Sequence, residues 1–235
     1  PLWSRGLGDV YKRQAWGRKA ILDAKASTAT WEQDLLGALK DTSLSAARRL
    51  AALECLQVHG PQPSLALITE LTADKDPALR AQAVYLLGLF PLSDTRATLV
   101  SALRDADAFV QRRACESLVR SGISEATRLQ DDDALAASLF ALLNAPDRFL
   151  RYSAGLALRR LYRDDWEKLV LKDDINKRPH GALEGLVQLI FSENAAAHSD
   201  RIFEKLEDYS KADLHGDILL DYVRTLELAF IRDTV

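Results

Sequence analysis

The chain has 235 residues, of which 48% are hydrophobic and 28% are charged, with 11 Gly, 7 Pro and 2 Cys. This composition is too apolar for a disordered chain and too poor in Gly and Pro for a collagen-like one. Two cysteines are too few for a disulfide scaffold. Since no run of 18 residues is free of charged side chains, the sequence predicts no membrane-spanning helix.

The first 14 residues differ in character from the rest of the chain. Residues 9–14 (DVYKRQ) resemble a translated sequencing adapter, and the chain contains no Met. We therefore expect residues 1–14 to be a non-native prefix on a metagenomic fragment of a larger bacterial protein, and exclude them from fold prediction. The alternative is a genuine basic N-terminal arm. Without these residues the chain has 28 basic and 33 acidic side chains, a balance that makes nucleic acid an unexpected partner.

A pattern with a period of 32 to 40 residues recurs four times after this prefix. A leucine closes an apolar helical stretch, Arg or Gln follows eight or nine residues later, and Ala comes three residues after that. Two independent markers that recur together at nearly constant spacing along the chain indicate a repeat architecture. The markers are Leu39, Arg48 and Ala51; Leu71, Arg80 and Ala83; Leu103, Gln111 and Ala114; and Leu143, Arg151 and Ala154.

Each repeat is predicted to contain two helices, because its apolar residues recur at helical spacing. Asp76 followed by Pro77 is a helix start, since the carboxylate accepts from free N–H groups and Pro at the first position loses no hydrogen bond. An insertion over residues 123–132 explains the one longer step. Residues 15–163 are thus expected to hold four repeats, at about 30–58, 64–90, 95–121 and 133–162.

Residues 76–88 (DPALRAQAVYLLG) closely resemble the second helix of a HEAT repeat. The resemblance implies an all-α fold, an α-solenoid of stacked antiparallel helix pairs. In that family Asp and Arg form a ladder between neighbouring repeats, which is expected to be interrupted at Gln111 and in the first repeat, where no Asp aligns. Carried over to this chain, the ladder positions are Asp76, Arg80, Asp107, Gln111, Asp147, Arg151 and, in the first repeat, Arg48.

The pattern weakens after residue 163, where residues 172–180 are predicted to form a polar loop. Helices are predicted at about 181–191, 195–209 and 214–232, so residues 164–235 are expected to be degenerate layers that continue the solenoid. The whole chain is then predicted to contain about five to six helix pairs.

Residues 221–232 (DYVRTLELAFIR), with the preceding repeats, resemble a second group of proteins. These are planctomycete-type multidomain proteins with a HEAT segment between a propeller-like dehydrogenase domain and a c-type cytochrome. No CxxCH motif occurs here, so any haem module would lie outside this chain. The resemblance implies an extracytoplasmic location, and without it we expect a cytoplasmic one.

We expect no catalytic, cofactor-binding or metal-binding residues. The four histidines are scattered without ligand spacing, and His198-Ser199-Asp200 is expected to open a helix rather than form a triad. Asp131, Asp132 and Asp133 lack the ligand spacing of a calcium loop, so they are interpreted as an acidic helix start. Cys55 and Cys115 are predicted to be buried and inert.

Two surface features remain as candidates for binding. Arginine pairs at 48–49, 112–113 and 159–160 would form a phosphate-binding stripe if they aligned in space, although nearby acidic residues argue against it. The second candidate is a patch on the inner face of the predicted curve, formed by Gln82, Tyr85, Arg113 and Glu116.

These patterns predict a non-catalytic scaffold that presents a curved surface to a protein partner or to neighbouring domains of the same polypeptide. Two alternatives stay open. One is a HEAT-like nucleic-acid-binding or DNA-repair enzyme, which would need a concave pocket with aromatic, carboxylate and arginine groups. The other is a structural segment of a multidomain redox protein.

Overall fold

A computed structural model of the chain describes residues 16–121, 133–161, 163–193 and 195–233. The regular secondary structure of these residues consists of thirteen α-helices, α1–α13. The predicted all-α fold is therefore confirmed for this part of the chain. The predicted prefix (1–14) and the predicted insertion (123–132) lie outside the described residues.

The chain divides into two compact units, residues 1–64 and residues 65–235. In the first unit, α2 packs against α3, and the buried side chains include Leu39, Leu53 and Leu56. The helices of this unit are α1 (16–27), α2 (Trp31–Lys40) and α3 (Ala46–His59).

The second unit contains five helix pairs, in each of which a first helix packs against the helix that follows it. We call the second helices of the pairs the B helices. The pairs are α4 (Leu65–Leu71) with α5 (Pro77–Leu87), α6 (Leu92–Ala102) with α7 (Ala108–Arg120), α8 (Asp133–Leu142) with α9 (Arg148–Leu158), α10 (Arg163–Lys172) with α11 (Pro179–Ile190), and α12 (Ala195–Ser210) with α13 (Gly216–Asp233).

The B helices of the second unit form a continuous layer, because α5 packs on α7, α7 on α9, α9 on α11 and α11 on α13. Among the first helices, α8 contacts α10 and α10 contacts α12. Each pair thus shares its hydrophobic interior with its neighbours, which is the architecture of an α-solenoid. The predicted fold class is confirmed for this unit.

Three B helices begin in the same way, at Asp76, Asp107 and Asp147. Each carboxylate accepts hydrogen bonds from the backbone N–H groups two and three residues ahead. These bonds satisfy donors that the first turn of a helix leaves free. Seven residues after each cap stands a fully buried alanine, at Ala83, Ala114 and Ala154, which lets neighbouring helices approach closely.

In α3 the residues that correspond to Arg80 and Ala83 lie one position later in the sequence than predicted. Its cap is Ser45, whose hydroxyl accepts from the N–H of Arg48. Counted from this cap, the positions equivalent to Arg80 and Ala83 are Arg49 and Ala52, both of which are buried, whereas Arg48 and Ala51 are exposed. The sequence-based alignment was wrong here because it counted from Leu39 across an interhelix turn rather than from the cap.

Helix α10 was not expected from the sequence. Its first turn is charged, and this hides the helical spacing of Trp166 and Val170, which are both buried. Within the described residues, no helix is both long and apolar enough to cross a membrane. The division into repeats at residue 163 stays a prediction.

Candidate interaction surface

The fourth residue after the cap braces the turn between the two helices of a pair. Arg80 donates to the carbonyl of Asp74 at 3.0 Å, and Gln111 donates to the carbonyl of Asp105 at 2.9 Å. Arg151 makes the same contact with Ala145 at 2.9 Å. In the first unit, Arg49 donates from Nε to the carbonyl of Leu39 at 2.9 Å. This position therefore closes the interhelix turn whether it holds Arg or Gln.

Arg80 also makes a two-bond bridge to the next pair. Its Nε and Nη2 atoms each lie 2.8 Å from an oxygen of Asp105, with 17% and 14% of the two side chains exposed. The hydrogen bonds from Arg80 hold the pKa of Asp105 below its usual value, although burial opposes this. A planar guanidinium and a carboxylate bonded in this way fix each other's orientation.

The structure changes the predicted ladder at its acidic positions. Asp76, Asp107 and Asp147 cap helices, and the acidic partner of Arg80 is Asp105, two residues before the predicted Asp107. A carboxylate at the cap faces its own helix N-terminus, which is why the residue two positions earlier is the one that meets Arg80. Arg151 lies 3.9 Å from Asp221 on α13, a longer and weaker contact.

Arginines and aromatic rings alternate across three neighbouring B helices. The Arg113 guanidinium on α7 lies 4.7 Å from the centre of the Tyr85 ring on α5 and 4.8 Å from that of Phe109. Arg112 lies 5.8 Å from Phe109 and 5.4 Å from Phe149 on α9. Within about 6 Å such pairs attract each other, more strongly when water is excluded. We call this set the arginine–aromatic surface, and its members are Tyr85, Phe109, Arg112, Arg113, Glu116, Arg120, Arg148 and Phe149.

Glu116 is the one carboxylate of the arginine–aromatic surface. It accepts from Nε of Arg112 at 2.8 Å and from Nη1 of Arg113 at 2.6 Å. Burial opposes ionisation of Glu116, but the hydrogen bonds from Arg113 and Arg112 outweigh it, so its pKa lies below the usual value. Glu116 therefore carries a negative charge that holds the two guanidiniums side by side.

One end of the surface is anchored where α5 stops. Ser117 donates to the carbonyl of Val84 at 2.8 Å, and Arg120 donates to the carbonyl of Tyr85 while its guanidinium lies 3.7 Å from the Tyr85 ring centre. The bond from Ser117 satisfies a carbonyl in the last turn of α5, and the Tyr85 carbonyl accepts from the backbone N–H of Gly88 as well. A Cβ atom on Gly88 would lie 3.0 Å from Cα of Ser117, so glycine permits this close approach.

The structure brings together three of the four residues predicted to face a partner. Tyr85, Arg113 and Glu116 are half-buried, and Arg113 contacts both of the others. Gln82 is also half-buried, one turn before Tyr85 on α5. Phe109 and Phe149, which are 45% and 56% exposed, are not among the residues predicted from the sequence. The available signal was a large apolar residue two positions after a capping Asp, where a side chain at the helix start faces solvent.

The arginine pairs do not form the stripe that was considered. Arg112 stands five residues after its cap and Arg159 stands twelve residues after its cap, so they occupy different turns of their helices. Arg159 donates to the carbonyl of Phe191 at 3.4 Å, whereas Arg112 is bonded to Glu116. The first pair is split as well, since Arg49 is buried and Arg48 is exposed.

A pocket of about 400 Å³ lies between α11, α12 and α13. It contains an aromatic ring, an arginine and carboxylates, the residue types expected of the enzyme alternative, but Asp233 is occupied by a hydrogen bond from Ser199 at 2.6 Å. Its walls include Ile190, Ser192, Glu193, Ile202, Phe203, Arg232 and Asp233. Ser199 lines the pocket as well, so a hydroxyl and a carboxylate of this lining are hydrogen-bonded to each other.

His198 and Cys115 are placed by packing and by contacts with neighbouring side chains. His198 is half-buried, and its Nε2 atom lies 2.8 Å from Oε2 of the buried Glu167, whereas Ser199 bonds to Asp233, so the three consecutive residues do not assemble as a triad.

Cys115 is fully buried, and burial raises the pKa of its thiol far above the usual value. Cys55, predicted to be buried, is half-buried. The described residues contain no group of three or more His, Cys, Asp or Glu placed to hold a metal ion. Asp131 and Asp132 lie outside those residues.

The comparison with family models supports the repeat architecture for residues 64–159. Residues 64–159 match the family model of HEAT repeats. Among solved structures, the chain is similar to the archaeal HEAT-like repeats protein from Thermococcus onnurineus NA1, with 14% sequence identity and a TM-score of 0.43 over 92% of this chain and 91% of that one. No curated protein matches the sequence.

Proposed function

We propose that this chain, whose residues 64–159 match the HEAT-repeat family, is a non-catalytic scaffold that binds a protein partner through the arginine–aromatic surface. The partner is a separate protein or a neighbouring domain of the same polypeptide. The observation that carries the proposal is the alternation of half-exposed rings and guanidiniums across α5, α7 and α9.

The composition of this surface supports protein binding. Tyr and Arg are enriched at the energetic centres of protein interfaces, since each combines a large contact area with polar groups. Phe109 and Phe149 expose about half of their area to solvent and so leave apolar surface that a partner would cover.

The packing of the helices that carry these side chains also supports the proposal. The side chains stand on three helices, α5, α7 and α9, that pack in succession. A partner therefore meets groups whose positions are already restricted, which lowers the entropy lost on binding. The repeat array acts by geometry, because it spaces these groups over neighbouring layers.

The test is selection of binding peptides from a random displayed library on the purified full chain. Binding of the selected peptides is then compared in Phe149→Ala and Arg113→Glu. We expect both variants to lose about tenfold or more in affinity, the effect of removing a central contact. The matched control is Arg201→Glu, an exposed arginine on α12 outside the surface. Selected peptides that bind both surface variants and the native chain equally would disprove this site.

The alternative that the chain binds nucleic acid is tested with the same variants. Single-stranded and duplex DNA are titrated against the native chain at two salt concentrations. Binding through phosphates weakens steeply as salt rises, and Arg113→Glu would reduce it. A tight, salt-sensitive complex with DNA in the absence of any selected peptide would replace the proposed function.

A further inference from the structure

Resting on the proposed function, we infer that the occupant of the arginine–aromatic surface is an acidic segment of a protein, and that its carboxylate takes over the guanidinium contacts now made by Glu116. The segment also places apolar side chains against Phe109 and Phe149. This inference names the chemistry of the partner at that site.

The charge of the surface is opposite to that of the chain. Four of the eight residues that define the arginine–aromatic surface are arginines and one is a carboxylate, whereas the chain as a whole has a net charge of −3. An interface selects partners whose local potential complements its own, and like charges brought together cost affinity. An acidic segment is attracted to this surface, and a basic segment is repelled by it.

The hydrogen bonds of the arginines show how a carboxylate would fit. Within the described residues, Arg112 and Arg113 each make a side-chain hydrogen bond to Glu116 alone, through one nitrogen apiece. A guanidinium has five N–H donors and forms its strongest contacts with two carboxylate oxygens at once. Arg112 and Arg113 are therefore already arranged to bond one carboxylate, and Glu116 marks the position that the partner's carboxylate occupies when it takes over these contacts.

The same carboxylate argues against a nucleic acid as the occupant. A phosphate backbone needs a continuous positive track, whereas Glu116 lies between Arg112 and Arg113 in the middle of this one. A protein segment can alternate charged and apolar residues. This alternation matches the alternation of arginines and rings across α5, α7 and α9.

The experiment uses the full chain and three labelled peptides in fluorescence anisotropy. The first alternates Glu and Asp with Leu and Phe, the second replaces every acid with its amide, and the third replaces every acid with Lys. We expect the acidic peptide to bind at least about tenfold more tightly than the amide peptide. Arg112→Glu should abolish this difference, whereas Arg201→Glu should preserve it.

Glu116→Gln is expected to change the affinity for the acidic peptide in the opposite direction to Arg112→Glu. Since glutamine keeps the shape but removes the competing charge, affinity for the acidic peptide should rise, by about threefold or more. Circular dichroism and thermal unfolding of each variant establish that it is folded. A merely structural role for Glu116 would lower affinity in this variant instead, and that result would overturn the inference.

The remaining outcomes separate the inference from the proposed function. Equal binding of the acidic and amide peptides, with loss in Phe149→Ala, would overturn the acidic partner and leave a protein-binding surface in place. Tighter binding of the Lys peptide would do the same. Failure of all three peptides would overturn the acidic partner, while the library selection decides the function independently. Tighter binding of an oligothymidylate than of the acidic peptide would overturn both.

Discussion

Arg80 on α5 and Asp105 in the turn before α7 join two successive helix pairs through two hydrogen bonds of 2.8 Å. Arg80 also braces its own interhelix turn through the carbonyl of Asp74. One side chain thus performs two separable tasks, one within its pair and one between pairs. Among the described residues, Gln111 at the equivalent position of the next pair performs only the first task.

Replacement of Arg80 should separate these two tasks. Arg80→Gln keeps a donor for the turn and loses the bridge to Asp105, whereas Arg80→Ala loses both. We expect Arg80→Gln to lower the free energy of unfolding by about 1 kcal/mol and Arg80→Ala by about 2–3 kcal/mol, measured by urea denaturation. Equal losses in the two variants would show that the turn contact contributes nothing.

The contribution of Asp105 should depend on pH. Its pKa in the folded chain lies below the ordinary value of 3.8, so its stabilising effect is fully present above that value. As pH falls below 3.8 and through the lower folded pKa, protonation removes the effect. The stability difference between the native chain and Asp105→Asn should therefore shrink on acidification and stay constant near neutral pH. Urea denaturation across this range, with Asp213→Asn at a largely exposed site as control, measures it.

Replacing two of the glycines with alanine should change the stability of the fold in opposite directions. In Gly88→Ala the new Cβ meets Cα of Ser117 at 3.0 Å and Nη2 of Arg120 at 2.7 Å, so α5 and α7 must move apart. We expect a loss of about 1–3 kcal/mol. In Gly37→Ala, on α2, nothing lies within 4 Å of the new Cβ, and alanine should stabilise the helix by about 0.5–1 kcal/mol. Thermal unfolding followed by circular dichroism distinguishes them, and a neutral Gly88→Ala would contradict the packing account.

Removing one member of the His198–Glu167 pair should destabilise the fold more than replacing both members with apolar side chains. The Oε1 atom of Glu167 and the Nδ1 atom of His198 are buried without a hydrogen-bond partner among the described residues. In His198→Ala, Glu167 stays buried and loses its one partner, which we expect to cost about 3 kcal/mol or more. The double variant His198→Leu, Glu167→Leu should be more stable than that single variant. The reverse order in urea denaturation would mean that the pair itself stabilises the fold.

The arginine–aromatic surface was foreseen only in part. Tyr85, Arg113 and Glu116 were found from their offset to the buried positions, because helical spacing determines which residues share a face. Phe109 and Phe149 were missed, although both follow a capping Asp at the same interval. Their partnership with Arg112 depends on the distance between α7 and α9, which no local pattern contains.

The amino-acid sequence by itself determined the helices other than α1 and α10, the cap at Asp76 and the repeat architecture, because capping and helical periodicity can be recognised from the order of the residues. The tertiary structure decided which acid meets Arg80, which arginine of the first pair is buried, and which rings lie beside which guanidiniums. These relationships depend on how two helices approach each other, and that approach is set by the packing of small residues such as Gly88 and Ala114 against neighbouring helices.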